Sequence, residues 1–181
     1  MQTTSYCTKF EKKSSDESIE IEFSSPKRNQ YKMDVDLYKK SFNVNVEIAR
    51  FYNVYGPGQI NTGDMATVIG IFENQYLNKK PLTVVKPGSQ TRRFTHIKDT
   101  VEVCYRAFKD NKCKYYSVSN KNSYSILDVA KMFKSKILFL KPRLGERYAS
   151  ALKNNSYNNK IIQKFGRLQL KDYISSFIKS H

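Results

Sequence analysis

Val44, Val46 and Ile48 alternate with polar residues, and the chain then runs through Gly56-Pro57-Gly58 and Asn61-Thr62-Gly63 into a helix-length apolar stripe. Alternation of period two predicts a half-buried strand that ends at Arg50. The glycine and proline punctuation predicts a loop from Tyr52 to Asp64. Val68, Ile71, Phe72 and Tyr76 follow at helical spacing, so Met65 to Tyr76 reads as a helix with Asp64 as its N-cap. A strand, a loop and a helix in succession constrain the chain to an α/β architecture.

The same grammar continues downstream. Leu82 to Val85 reads as a short strand, Lys86-Pro87-Gly88-Ser89 as a turn, and Arg93-Phe94-Thr95-His96 as extended chain. Asp99 can cap a helix carrying Val101, Cys104, Tyr105 and Phe108. Tyr115 to Val118 is a further strand, and Ser125 opens a helix with a stripe through Ile126, Val129, Ala130 and Phe133. Ile137 to Leu140 is the last strand, and helical stretches near Asn159–Phe165 and Lys171–Ile178 follow. Upstream, Met1 to Asn29 reads as irregular, with Ile19 to Phe23 as a candidate edge strand. Met33, Leu37, Tyr38 and Phe42 give Tyr31 to Phe42 rough helical spacing. No internal repeat is present.

Thirty-two lysines and arginines against sixteen acids give a formal charge of +16 in 181 residues. Such a balance suits nucleic acid, an acidic membrane surface or a phosphate-bearing ligand. The excess is mostly lysine, spread in pairs such as Lys12-Lys13, Lys39-Lys40 and Lys79-Lys80. A nucleic-acid binder concentrates its charge on one face, so the pattern reads as a basic, solvated surface and nucleic acid is disfavoured. No apolar run approaches the roughly 18 residues of a membrane span. Cys7, Cys104 and Cys113 make no disulfide framework and no metal-binding spacing. Met1 to Lys13 lacks an apolar signal region, so a cytoplasmic location is the expectation.

Four motifs in order then narrow the reading. Ala49-Arg50-Phe51-Tyr52-Asn53-Val54-Tyr55-Gly56-Pro57-Gly58 resembles the Arg-Tyr-Phe-Asn-Val-Tyr-Gly-Pro signature of extended short-chain dehydrogenase/reductases acting on nucleotide sugars. Lys80 to Val85 with Pro87 to Asp99 looks like that family's Pro-Leu-x-Val…Gln-x-Arg-Asp-Phe-x-His-Val-x-Asp segment. Tyr116 to Ser119 followed by Ser125 to Ala130 is similar to its strand and Ser-Ile-x-Glu-Leu-Ala helix, and Pro142 to Glu146 resembles its Pro-x-Arg-x-Gly-Glu. The resemblance is to NAD-dependent sugar-nucleotide epimerases and dehydratases, of the UDP-glucose 4-epimerase kind.

That resemblance implies a remnant of a Rossmann-type sheet plus the small α/β substrate-binding lobe. Residues 1–29 would be an irregular or degenerate segment, 30–60 the Rossmann remnant, and 61–181 the sugar-nucleotide lobe. The implied ligand is a UDP- or dTDP-sugar. By matching position, Asn53, Thr67, Thr83, Val85, Arg92, Arg143 and Glu146 would bind it, and Tyr52 would face the nicotinamide of NAD. A guanidinium fork suits the diphosphate, an amide offers donor and acceptor, and a helix N-terminus at Thr67 suits an anion. Each residue has a plainer reading: Asn53 as a turn residue, Thr67 as a first-turn helix residue, Thr83 and Val85 as strand residues. Likewise Arg92 would be a solvated charge, Glu146 a surface acid beside Arg147, Tyr52 a packed aromatic, and His96 structural rather than catalytic.

Three parts of the family's chemistry have no match, and no catalytic residue or metal site is assigned. The first glycine is Gly56, so no Gly-rich cofactor turn precedes it. Four residues after Tyr31 comes Val35, not the lysine of a Tyr-x-x-x-Lys pair. Tyr76/Lys80 and Tyr105/Lys109 have that spacing on the wrong side of Asn53, and Thr8-Lys9-Phe10 only faintly echoes the Ser/Thr segment. The chain is thus expected to be the substrate-binding portion of an enzyme, inactive alone, with a separate Rossmann-half chain or a second copy in a homodimer as its expected protein partner. A catalytically dead nucleotide-sugar module and a basic nucleic-acid-binding domain remain as alternatives. Without its neighbouring strands, Val44 to Arg50 is expected to expose an edge.

Overall fold

A computed structural model of the chain describes residues 6–11, 41–43, 45–110, 115–142 and 167–181. The alternating run forms β2 (Asn45–Phe51), parallel to β7 (Tyr115–Val118) with Ile48 opposite Tyr115. On its other side lies β1 (Tyr6–Glu11), antiparallel, with Cys7 opposite Ala49. The N-terminal segment is therefore not irregular throughout. Tyr6, Thr8 and Phe10 are strand-favouring types, and the open backbone of β2 completes their ladder. The exposed edge expected of β2 is thereby covered, since it is the middle strand of three. The expected strand at Ile19–Phe23 and the helical stretch Asn159–Phe165 lie outside the described residues, as does the Tyr31–Phe42 helix apart from helical residues 41–42.

Asn53 turns the chain out of this sheet. It stands at φ 44, a left-handed geometry that asparagine tolerates better than most residues. Past the bend, β3 (Val54–Tyr55) leaves β2 and pairs in parallel with β6 (Thr95–His96), inside what the sequence presents as a loop. Two-residue strands carry no readable periodicity, and only the distant partner makes them strands.

The first long helix, α1 (Val68–Leu77), starts later than its apolar pattern suggests. Thr67 caps it, its hydroxyl accepting the Gly70 N–H at 3.0 Å. Asp64 lies earlier, in a turn closed by Ala66 N–H donating to Gly63 O, and Thr67 N–H donates to Ile60 O at 3.0 Å. Both residues are competent caps; the bond to Ile60 places Thr67 rather than Asp64 at the helix start.

The second helix, α2 (Ile97–Asp110), is also capped differently from expectation. His96 Nδ1 accepts the Lys98 N–H at 3.1 Å, while Asp99 stands inside the first turn and accepts the Leu168 N–H at 3.1 Å. Its apolar stripe faces outward: Val101 is 58% exposed, Tyr105 48% and Phe108 46%. Thr100, Val103 and Ala107 are buried instead, where the helix meets β2 and β7. Small inward side chains let the helix approach the sheet, and that contact overrides the more hydrophobic stripe.

The main core belongs to the C-terminal lobe. It is built on β4 (Leu82–Val85) and β9 (Ile137–Leu140), parallel with Leu82 opposite Ile137. Leu82 and Val84 point inward onto α1, onto α3 (Ile126–Met132), and onto a cluster that includes α4 (Leu170–Ser180). The helix opened by Ser125 forms as its sequence predicts: Ser125 accepts the Asp128 N–H, and Val129, Ala130 and Phe133 are buried. Ahead of it, β5 (Thr91–Arg92) and β8 (Tyr124–Ser125) pair antiparallel. Among the described residues no helix is long and apolar enough to cross a membrane.

Candidate functional site

Asn53 and Arg93, the residue after Arg92, are forty residues apart in sequence but bonded in the fold. The Asn53 amide Nδ2 donates to Arg93 O at 3.1 Å, and its backbone carbonyl accepts the Thr95 N–H at 3.2 Å. The left-handed bend thus pins the motif loop to Arg93 and Thr95, just after the strand that carries Arg92. Arg92 is half-buried, and its guanidinium donates through Nη1 to Thr91 O at 2.8 Å. Tyr52, just before the bend, is buried.

Thr83 and Val85 share the face of β4 that points away from the core, both half-buried. Gln75 on α1 grips Thr83 twice: Nε2 donates to Thr83 Oγ1 at 2.8 Å, and Oε1 accepts the Thr83 N–H at 3.0 Å. The accepting hydroxyl keeps a hydrogen with which it can donate. Thr67 is more fully occupied. Its hydroxyl caps α1 and donates to Gln59 Oε1 at 2.8 Å, and its N–H goes to Ile60 O. Arg143 and Glu146 lie outside the described residues.

Residues that sequence reasoning passed over tie these parts together. Gln59 Nε2 donates to Glu73 Oε2 at 2.8 Å, and Tyr173 Oη donates to Glu73 Oε1 at 2.7 Å. The Tyr173 ring meets Tyr55 edge-on at 5.1 Å and His96 at 5.6 Å, and Tyr55 meets His96 at 5.2 Å. The signal that could have found Glu73 is its place on α1, between the core residues Phe72 and Tyr76. A carboxylate on the flank of an apolar stripe calls for a partner.

Burial pushes the Tyr55 hydroxyl well above the ordinary phenol range, with the Asp99 charge adding to it. The Tyr173 hydroxyl rises for the same first reason, then through its bond to Glu73. Both therefore act as neutral donors. Burial lowers the His96 imidazole, opposed by Asp99 and helped by Lys98; burial raises the Asp99 carboxyl, opposed by backbone N–H groups of Leu168 and Arg167. His96 is a cap and a packed ring, with no nucleophile described beside it.

These shifts have a measurable consequence. An unfolded His96 takes up a proton near its ordinary value of about 6.5, while the folded one resists until lower pH. Stability is therefore expected to fall as pH drops below that value, by up to about 1.4 kcal/mol per pH unit, one proton's worth. Asp99 works oppositely, because its folded carboxyl protonates before the unfolded one. In His96→Asn, which keeps a cap acceptor, urea midpoints between pH 7.5 and 5.5 should lose this acid-side decline. An unchanged slope would remove His96 as its source.

The two other Tyr-x-x-x-Lys spacings begin on α1 and α2. Tyr76 packs against Phe133 and Phe177. Tyr105 and Lys109 are exposed on α2, with Lys109 Nζ 5.1 Å above the Tyr105 ring. Among the described residues no group of three or more His, Cys, Asp or Glu could hold a metal ion.

A model of the NAD dependent epimerase/dehydratase family matches residues 26–119, more than half of the chain. The chain belongs to this family. UDP-glucuronic acid decarboxylase 4 of Arabidopsis thaliana is 33% identical over 115 residues, 64% of this chain and 25% of that protein. An uncharacterized UDP-glucose epimerase of Bacillus subtilis, YtcB, is 46% identical over 66 residues, 36% of this chain and 20% of that one. Among solved structures, UDP-glucuronic acid 4-epimerase from Bacillus cereus, in complex with UDP-glucuronic acid and NAD, matches with a TM-score of 0.66 at 26% identity. The match covers 82% of this chain and 50% of that one. UDP-glucose 4-epimerase of Thermotoga maritima shares the fold, with a TM-score of 0.71 at 17% identity over 84% of this chain and 50% of that one. The α/β fold is thus a partial Rossmann-type epimerase fold. The chain spans about a quarter of the curated relative's length and half of each solved structure's.

The family's cofactor needs a glycine-rich turn between a strand and a helix, open to a pyrophosphate. In the described strand–loop–helix that holds glycines, Gly56, Gly58 and Gly63 have a different spacing. The space beside Gly56 is filled by Ile97, whose Cγ2 would lie 2.5 Å from an added Cβ. These residues do not fit a dinucleotide.

Proposed function

We propose that this chain supplies the nucleotide-sugar-binding portion of an epimerase/dehydratase, with residues 61–181 as the main ligand lobe, and does not turn its ligand over alone. The observation that carries this is the pinning of Asn53 to Arg93 and Thr95, which joins two of the sequence motifs at one place. Family membership and a relative at 26% identity complexed with UDP-glucuronic acid and NAD supply the ligand class.

In this reading Arg92 and Arg143 meet the diphosphate of a UDP- or dTDP-sugar, and Asn53 bonds phosphate or sugar hydroxyls. The base lies against Thr83 and Val85, Glu146 holds the ribose, and Thr67 opens the helix that borders the nucleotide. Tyr52 faces a nicotinamide held by a dinucleotide-binding half that lies outside these residues. That half supplies the hydride chemistry; this one binds and orients.

Calorimetric titration of the 181-residue chain with UDP and dTDP should show binding, weakened at least about tenfold in Arg92→Ala, because a charge-assisted contact is lost. NAD-dependent epimerisation of UDP-glucose by the purified chain would refute inactivity alone. Tighter, steeply salt-dependent binding of short DNA in place of UDP would overturn the ligand class.

A further inference from the structure

The C-terminal helix reaches the candidate site through one continuous chain of hydrogen bonds. Tyr173 Oη donates to Glu73 Oε1, Gln59 Nε2 donates to Glu73 Oε2, Thr67 Oγ1 donates to Gln59 Oε1, and Gly70 N–H donates to Thr67 Oγ1. Donation converges on Glu73, from Gly70 through Thr67 and Gln59 on one side and from Tyr173 on the other. A carboxylate only accepts, so the Gln59 amide nitrogen must face Glu73 and its oxygen must face Thr67. The two Glu73 oxygens divide the work, Oε1 taking Tyr173 and Oε2 taking Gln59. The chain crosses 100 residues of sequence at the step from Tyr173 to Glu73.

The residues just ahead of the helix, at the same end as Tyr173, are fixed by other bonds. Leu168 N–H is held by Asp99, Leu168 O accepts from Asn120 Nδ2 at 3.3 Å, and Asn122 Nδ2 donates to Gln169 Oε1 at 2.8 Å. The start of α4 is thereby anchored independently of Tyr173. The Tyr173 hydroxyl then acts on residues 59–67, the segment between the Asn53 bend and the N-terminus of α1.

We propose that Tyr173 is a positioning residue: through Glu73 and Gln59, its hydroxyl sets the conformation of residues 59–67 and so the affinity of the site beside them. The affinity part rests on the nucleotide-sugar reading above; the conformational part does not. The ring contacts with Tyr55 and His96 survive in Tyr173→Phe, so that variant removes the link while keeping the packing.

The test is hydrogen exchange on the full chain, wild type against Tyr173→Phe, Gln59→Ala and the double variant, followed by titration with UDP. The Ala66, Thr67 and Gly70 amides should exchange about tenfold faster in Tyr173→Phe, the size expected for losing a bond to a charged group. Amides of β4 and α3 should stay within twofold. A merely structural loss would instead speed exchange across the lobe. The double variant should match Gln59→Ala alone, because both substitutions cut one chain. UDP affinity should fall about tenfold in each. Unchanged exchange at residues 66–70, a lobe-wide increase, or additive effects in the double variant would each overturn the proposal. Wild-type chain that fails to bind UDP would sink the nucleotide-sugar reading and the affinity claim, leaving exchange to decide the conformational one.

Discussion

Phe133→Ala should lower the unfolding free energy by about 3–5 kcal/mol, the usual cost of emptying a buried phenylalanine site. Phe133 is fully buried, with ring centroids of Phe72 at 5.9 Å, Tyr76 at 6.1 Å and Phe177 at 6.2 Å. Those neighbours sit on α1 and α4, so the ring joins three helices over the β4–β9 pair. Deletion removes apolar contact and leaves a cavity that three helices must collapse to fill. Domain stabilities are only about 5–15 kcal/mol, so a large share of the total would go. Thermal unfolding should shift down by roughly 6–20 °C. Phe139, 44% exposed on β9, gives the internal control: Phe139→Ala should cost about 1 kcal/mol or less. Equal effects at the two positions would mean that the core has been assigned to the wrong face.

Gly70→Ala tests the site loop, and here two effects oppose one another. Alanine in a helix interior is favoured over glycine by about 1 kcal/mol, so propensity alone predicts stabilisation. Against this, an added Cβ would lie 2.5 Å from the Ile60 carbonyl oxygen, 3.0 Å from Thr67 Oγ1 and 3.1 Å from Asn61 Cα. Two of these three are backbone, which cannot swing aside. Ile60 O is also the acceptor for Thr67 N–H, so moving the loop breaks the bond that starts α1. The clash should win, with a net cost of about 1–3 kcal/mol. UDP binding should weaken as residues 60–67 shift. A Gly70→Ala protein at least as stable as wild type would show that the loop does not cross the helix as described.

Both tests concern positions whose importance is unevenly visible in the amino-acid order. Phe133 stands in a stripe with Val129 and Ala130, and Ser125 heads it as a cap, so helix and core face could be read from local signals. Gly70 looks like an ordinary weak point in a helix until the loop above it is seen. The same contrast runs through the candidate site. Asn53 and Arg92 were reached through motifs, and the fold brings their segments together. Gln59, Glu73 and Tyr173 belong to no motif, and their partners are 14 and 100 residues away.

The sequence by itself determined the α/β grammar, the strands Leu82–Val85, Tyr115–Val118 and Ile137–Leu140, the Ser125 helix, and the family. These rest on short-range periodicity, capping and motif order. Only the tertiary structure decided that Tyr6–Glu11 pairs with β2, that Thr67 and not Asp64 caps α1, and that α2 buries Thr100, Val103 and Ala107 rather than its more apolar stripe. It also decided that a C-terminal tyrosine reaches the motif loop. In each of these cases two local choices were close in energy, and a partner far along the chain supplied the difference.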